Sequence, residues 1–499
     1  MEREYAVTVH ADVDLDQFDA EMIASTGAGA IPNRTVDVAN QRSVNKRTTH
    51  YALTSEEAKT LKDDPRVLDV EIPHAQDDDL IIEPLGRQTG NFTKTSSSFG
   101  DNLNWGMRRS MSRSDPYFAN NPPSGDYTYN LDGKGVDVVI QDTGIVVGHP
   151  EFDDADGNSR IQQINWFTES GVSGTLPSNF YSDQNGHGSH VAGTVAGLRY
   201  GWAKSAHIYA QKIDLGIPNA MEVDDGLDAI LGWHNNKTSN RPTIVNMSWG
   251  YGRNFGYIDG GNYRGTNWTG NTRQTQYGMI GSQNALGYRY GVRSTSIDVA
   301  IEQMISAGIH ICIAAGNSRQ KIELPGRADY DNYYWRDAPA GLGGRRASYY
   351  HRGGSPFSEN AMMVGALDFN YTQTGMERKA AFSECGPGVT LYAPGRYIRS
   401  AYVSNNGVSY YWDSNFYQRS ISGTSMASPQ VAGVGACILQ AYPDLTPAEL
   451  RQRIIDLTSR NYIYDTGLNN DYTNNRSLIF GQNRLLYFPY TRESALTIT

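Results

Sequence analysis

Three short apolar runs constrain this chain more than anything else in it: Val136-Asp137-Val138-Val139-Ile140, Thr243-Ile244-Val245-Asn246-Met247 and Ile309 to Ala315. Each is rich in β-branched residues and barely alternates, the pattern of a strand buried on both faces. Such strands need helices above and below them, and helical spacing lies between the last two. Ser296 to Ala307 places Ile297, Ala300, Ile301, Met304 and Ile305 on one stripe. Farther on, Thr446-Pro447-Ala448-Glu449 sets an N-cap threonine, a proline at the first helical position and a glutamate at the third, opening a helix to about Leu457. From about residue 104 onward the expectation is an α/β fold with a mostly parallel central sheet.

Residues 1–73 read as a separate, small α+β unit. Tyr5 to Val9 is a strand, Leu15 to Ile23 a helix and Thr49 to Leu53 a second strand. Ser55-Glu56-Glu57-Ala58 has capping-box chemistry and opens a short helix that stops near Asp63-Asp64-Pro65, and Val67 to Ile72 alternates as a half-buried strand. This order suits a ferredoxin-like, split βαβ arrangement. Residues 74–103 carry Asp77-Asp78-Asp79 and Thr95-Ser96-Ser97-Ser98 without a sustained apolar period, and are expected to be a linker with a processing site. The segments 251–294 and 402–419 read as surface insertions.

A net charge of −10 and the absence of a basic cluster argue against nucleic acid as a partner. No apolar run is long enough to span a membrane, and the charged start Met1-Glu2-Arg3-Glu4 is not followed by the apolar stretch of a secretory signal, which points away from classical secretion. The three cysteines, Cys312, Cys385 and Cys437, make neither a disulfide framework nor metal-ligand spacing.

Four local sequences carry chemistry. Val138-Val139-Ile140-Gln141-Asp142 ends an apolar strand at a carboxylate, placing it at the sheet edge where α/β folds build sites. Asn185-Gly186-His187-Gly188-Ser189-His190 opens a helix of small residues with a histidine between glycines. Ser422-Gly423-Thr424-Ser425-Met426-Ala427 sets a serine where a glycine turn meets a helix start, and that turn aims backbone N–H groups at an anion. Ala314-Ala315-Gly316-Asn317 delivers an amide to the end of another strand. Taken singly, each has an ordinary reading: a turn-capping aspartate, a core histidine, an N-cap serine, a turn asparagine. His187 and His190 also stand three apart, as metal ligands can, though no further ligand cluster follows. A serine nucleophile needs a base, an orienting acid and oxyanion donors, and the four sequences together offer one of each.

In the order Asp, His, Ser these blocks resemble the subtilisin (subtilase) family, for which that order is characteristic. "DTGIVVGHPEF", "NGHGSHVAGTVAG", "NMSWG", "AAGNS", "FSECGPG", "APG" and "SGTSMASPQVAGV" each match a block of that family, and together they cover most of the chain. The resemblance implies a subtilisin-like three-layer fold and a serine endopeptidase acting on polypeptides. Asp142 would orient His187, His187 would act as base and then acid, and Ser425 would be the nucleophile. Asn317 and the Ser425 N–H would form the oxyanion hole, and Ser248-Trp249-Gly250 would pair with an extended substrate. "THYALTSEEAKTLKDDPRVLDVEI" is similar to the end of a subtilisin propeptide, implying a self-inhibited zymogen with its own propeptide as intramolecular inhibitor. Asn104-Trp105-Gly106 resembles the start of a mature proteinase K-like domain, placing the peptidase domain at 104–499 and the cut between His74 and Asn104.

Three departures stand out. Gln430 replaces the histidine usual after Ser-Pro, Trp249 is larger than the usual aliphatic residue and implies an altered substrate pocket, and Thr390 stands where an aspartate often contributes to a calcium site. No cofactor is required by this reading, and calcium has no residue-by-residue support. The Gly/Asn/Tyr-rich insertions are similar to those of subtilase-like proteins of bacteriophages. They leave a second reading, a structural or binding component of a virion that keeps a protease fold with its propeptide uncleaved.

Overall fold

In the computed structural model the described residues are all but 1, 25–30, 33, 42–46, 74–85, 89–91, 93, 95–102, 119–126, 217–218, 256–257, 271–274, 280–281, 285–286, 338–344, 372–374, 405–406, 466–475 and 490–499. The acidic run Asp77–Asp79, the serine run Ser96–Ser98 and His74 lie outside them. The chain divides into two units, Met1–Glu83 and Pro84–Thr499.

In the first unit the strands Arg3–Val9, Val38–Gln41, Thr48–Leu53 and Val67–Glu71 and the helices Leu15–Met22 and Ser55–Lys62 follow one another as βαββαβ. The strand beginning at Arg3 lies between those beginning at Thr48 and Val67, with Val38–Gln41 outside, every pair antiparallel. That is the ferredoxin-like order. Val7, Val9, Phe18, Tyr51, Leu53 and Leu61 close its core. The second helix starts one residue earlier in capping terms than the sequence suggested. Thr54, not Ser55, is the N-cap, its hydroxyl accepting from Glu57 N at 3.3 Å while Glu57 Oε2 accepts from Thr54 N at 2.8 Å. A cap of this kind contributes about 1 kcal/mol. Strict alternation fails in the last strand, where Leu68 is exposed, because the ladder shifts register between Thr8 and Val9.

In the second unit nine strands run in the spatial order Ser459–Arg460, Arg484–Leu485, Leu391–Pro394, Met362–Tyr371, His310–Ala314, Thr243–Met247, Asp137–Asp142, His207–Lys212, Ile161–Gln163. Every neighbouring pair is parallel except the first. All residues of the three central strands are buried, so both faces are covered. The helix Thr424–Ala441 packs on the central strands and on the helix His187–Ala196, while Val223–Asn236 packs with Thr295–Ser306. The chain order reverses at Asp137–Asp142, which lies between strands that both come later in sequence, and the carboxyl edge at such a reversal is where α/β sheets hold ligands.

Two expectations need correction. The stretch 74–103 is not linker throughout. Gly86–Gln88 pairs antiparallel with Tyr127–Tyr129, Phe92 is 1% exposed within the large core, and the Lys94 ammonium lies 2.7 Å from Asp115 Oδ2. The sequence concealed this because isolated anchors among polar residues show no period. The insertion 251–294 likewise has a core of its own: Ile258, Trp268, Met279, Tyr290, Tyr334 and Tyr350 are buried together beside short antiparallel strands. The segment 402–419 also contributes strands, Val408–Ser409 and the start of Tyr417–Ile421.

Candidate active site

Three adjacent parallel strands deliver three of the residues singled out in the sequence to one edge. Gln141, Met247 and Ile313 stand in register across the sheet. The strand continuing from Gln141 therefore ends at Asp142, the one continuing from Met247 at Ser248, and the one continuing from Ile313 runs on to Asn317. The helices that start at His187 and Thr424 bring the rest. His187, Ser248, Trp249, Gly250, Asn317 and Ser425 all line one cavity of about 780 Å³.

The buried Asp142 carboxylate accepts through Oδ1 from His187 Nδ1 and from Thr143 N, each at 2.8 Å. That bond fixes the tautomer, leaving Nε2 on the open side of the ring, and the His187 side chain is 28% exposed. Burial disfavours the imidazolium, but the Asp142 charge, its hydrogen bond and the charge of Asp183 together lift His187 above the ordinary histidine value. The position of His187 depends on Asp183, which the sequence reading missed. Its carboxylate accepts from Thr143 Oγ1, Asn185 N, Gly186 N, Ser189 N and Ser189 Oγ at 2.7–3.0 Å, tying the strand end at Asp142 to the helix start at His187. The only hint in the sequence was an aspartate four residues before a histidine.

His190 does not join His187. Its Nε2 lies 2.9 Å from Ile398 O and 3.1 Å from Arg419 O, and burial pushes it down to about 3, so it is a neutral core group. Thr390 Oγ1 accepts from Met363 N at 3.1 Å, and among the described residues no three His, Cys, Asp or Glu side chains are grouped to hold a metal.

Ser425 sits in the first turn of an 18-residue helix, where backbone N–H groups have no intrahelical acceptor and the helix dipole favours negative charge. Four residues on, Pro429 has no N–H to give the Ser425 carbonyl, and Ser248 Oγ donates to that oxygen instead at 3.0 Å. Ser248 is in turn held by Asn246 Nδ2 at 2.9 Å, and Asn246 Oδ1 by Ser428 Oγ at 2.8 Å. The proline in "TSMASP" thus cross-links the helix start to the adjoining strand end. In this conformation Ser425 Oγ donates to Ser248 O at 3.0 Å.

Asn317 Oδ1 accepts from Thr424 N at 2.9 Å and from Thr424 Oγ1 at 3.1 Å. A backbone N–H can only donate, so the atom facing it must be the oxygen, which turns Nδ2 away from Thr424. A Cβ built on Gly423 would lie 3.5 Å from both Asn317 Nδ2 and Ser425 N. The two nitrogens therefore flank one point beside the serine.

Trp249 lines the cavity and is anchored at its polar end. It is 6% exposed, with its indole N–H donated to Gln141 Oε1 at 3.2 Å, so its bulk is directed into the protein. Gln430 is buried against Asn104 and Trp202, whose indole N–H it accepts at 2.8 Å.

Residues 133–477 match the family model described as the subtilase family. This chain belongs to the subtilase family. Among curated proteins it is similar to an extracellular serine proteinase of Thermus sp. (strain Rt41A), 28% identical over 388 residues, covering 77% of this chain and 66% of the relative. It is also similar to alkaline serine exoprotease A of Vibrio alginolyticus, 27% identical over 416 residues, covering 83% of this chain and 55% of the relative. The subtilase chain thus spans less than two thirds of the length of these relatives. Among solved structures it resembles a cold adapted subtilisin-like serine proteinase at 26% identity, covering 77% of this chain and 97% of that one, with a TM-score of 0.46.

Proposed function

We propose that this subtilase is a serine endopeptidase that hydrolyses polypeptides through an acyl-enzyme. Its triad is Asp142, His187 and Ser425, and its oxyanion donors are Asn317 Nδ2 and Ser425 N–H. The observation that carries the reading is that Asn317 Nδ2 and Ser425 N both stand 3.5 Å from the point a Gly423 Cβ would occupy, a pair of nitrogens suited to hold an oxyanion.

The substrate lies extended along Ser248–Gly250 as an added strand. Rotation about the Ser425 Cα–Cβ bond moves Oγ from Ser248 O to His187 Nε2. His187 takes the hydroxyl proton as Oγ bonds to the carbonyl carbon, and the displaced electron pair settles on the oxygen held by the two donors. Collapse breaks the C–N bond, and the amine leaves with the proton from His187. Water then gives a proton to His187 and attacks the ester, and Ser425 Oγ leaves with that proton. Asp142 stabilises the imidazolium through its hydrogen bond to Nδ1.

The first unit, Met1–Glu83, is the propeptide in this reading: an inhibitor made in the same chain and removed when the connection to the second unit is cut. The virion reading draws no support from the relatives, which are named as proteinases and proteases. Intact mass and a fluorophosphonate probe test the proposal on wild type and Ser425→Ala. Labelling at Ser425, with self-cleavage absent from the variant, is expected. A chain that neither labels nor cleaves any peptide would refute it.

A further inference from the structure

We propose that Glu384 is the specificity-determining residue of this cleft, placed to receive a cationic substrate side chain, lysine or arginine, from the residue that supplies the scissile carbonyl. The inference rests on the endopeptidase reading and adds to it a substrate class.

Position comes first. Glu384 N donates to Gly316 O at 3.0 Å, so the residue is bonded to the strand end that carries Asn317. Gly316 makes room for the side chain: a Cβ there, at φ +120°, would stand 2.7 Å from Glu384 Cγ and 2.9 Å from Oε1. Gly316 N in turn donates to Thr424 Oγ1 at 3.1 Å, so the residue bonded to Glu384 stands one place before Asn317 and touches the residue one place before Ser425. Glu384 lines the same cavity as His187, Asn317 and Ser425.

Chemistry comes second. Glu384 is 2% exposed, and its Oε2 is buried without a hydrogen-bond partner. A buried carboxyl oxygen left unmatched is costly, and a donor entering the cavity would relieve that cost. Lys379, whose charge reaches Glu384, directs its ammonium to Ala380 O at 3.2 Å and Ser383 O at 2.9 Å. The described lining includes no lysine or arginine; its only other carboxylate is the exposed Asp214 at the rim. Burial pushes the Glu384 carboxyl up to about 8, against the pull of the Ser318 and Gln320 N–H groups and of Lys379. The empty site thus holds a largely neutral acid. An entering ammonium or guanidinium supplies the charge that makes the carboxylate stable there, and the proton is released to solvent. An aliphatic or aromatic side chain offers Oε2 nothing.

Two measurements decide it. The first is kcat/KM on a peptide series varying only that residue (Arg, Lys, Gln, Leu, Phe) for wild type and Glu384→Gln. Arginine and lysine should lead in wild type by about 10²-fold, and the variant should lose that lead while it still cleaves the Gln and Leu peptides. A wild-type preference for Leu or Phe overturns the inference, as does a variant that slows every substrate equally. The second is binding of benzamidine, a small aromatic cation, by calorimetry. Binding that Glu384→Gln loses supports the inference, and no binding, or binding that the variant keeps, overturns it. If neither cleavage nor labelling occurs, the endopeptidase reading falls alone and the benzamidine result still decides the role of Glu384.

Discussion

Gly423→Ala isolates the proposed oxyanion cradle from the fold that holds it. Gly423 has φ 166° and ψ 163°, an extended backbone that alanine adopts without strain. The added methyl meets Asn317 Nδ2 and Ser425 N at 3.5 Å and Met426 Sδ at 3.6 Å, ordinary van der Waals distances. The variant should therefore fold. Restricting the unfolded chain at a compatible site adds about 0.4–1 kcal/mol of stability, so the melting temperature should hold or rise slightly. The methyl nevertheless occupies the space where an oxyanion would sit at about 2.9 Å from each donor. Losing one such donor costs about 2.7–4 kcal/mol in transition-state stabilisation, a magnitude known for subtilisin and so borrowed from this family rather than worked out from this geometry. Excluding the oxyanion from both should cost at least as much, and kcat should fall by about 10²-fold or more with KM little changed. Steady-state kinetics on a peptide amide, beside a thermal melt, make the test. A folded variant with kcat within about threefold of wild type would refute the assignment of the cradle.

The other predictions follow from neighbouring contacts. Thr424→Val removes the hydroxyl that donates to Asn317 Oδ1 and accepts from Gly316 N, and should lower kcat by about tenfold while KM holds, because one backbone donor still orients the amide. The raised His187 must be neutral to act as base, so kcat/KM should rise with pH through a midpoint above 6.5, and Asp142→Asn should move that midpoint down; a profile unmoved by the substitution would count against the pairing. The stability contributed by the same pair runs the other way: it is fully present below the ordinary histidine value and is lost as pH rises through the raised one. Phe92→Ala should destabilise the second unit by about 3–5 kcal/mol, read by denaturant unfolding, and mass spectrometry of processed protein should place the cut N-terminal to Phe92, since a later cut would remove a core anchor.

The sequence by itself determined the elements and the reacting groups, because both are written locally. Apolar runs bounded by Asp142, Ser248 and Ala314 identify buried strands and their carboxyl ends, and the Thr446–Glu449 cap identifies a helix start, from side chains a few residues apart. It misled where the local pattern was silent. Phe92 and Lys94 are anchors without a period, and the tyrosines of 251–350 form a core whose members are scattered over some tens of residues and so resemble a loop. The bond from the Trp249 indole to Gln141 was equally silent, since it joins two strand ends that only the sheet brings together. Tertiary structure alone decided the rest. That Asp183 joins Thr143 to the helix start at His187, that Pro429 leaves a carbonyl for Ser248, and that Gly423 stands beside Asn317 are meetings of segments far apart in the chain. The same holds for Glu384, whose place beside Gly316 is 68 residues distant in sequence. A residue type announces what chemistry it can do. Whether a donor is free or a carboxyl is dry depends on what the packed sheet and helices bring against it.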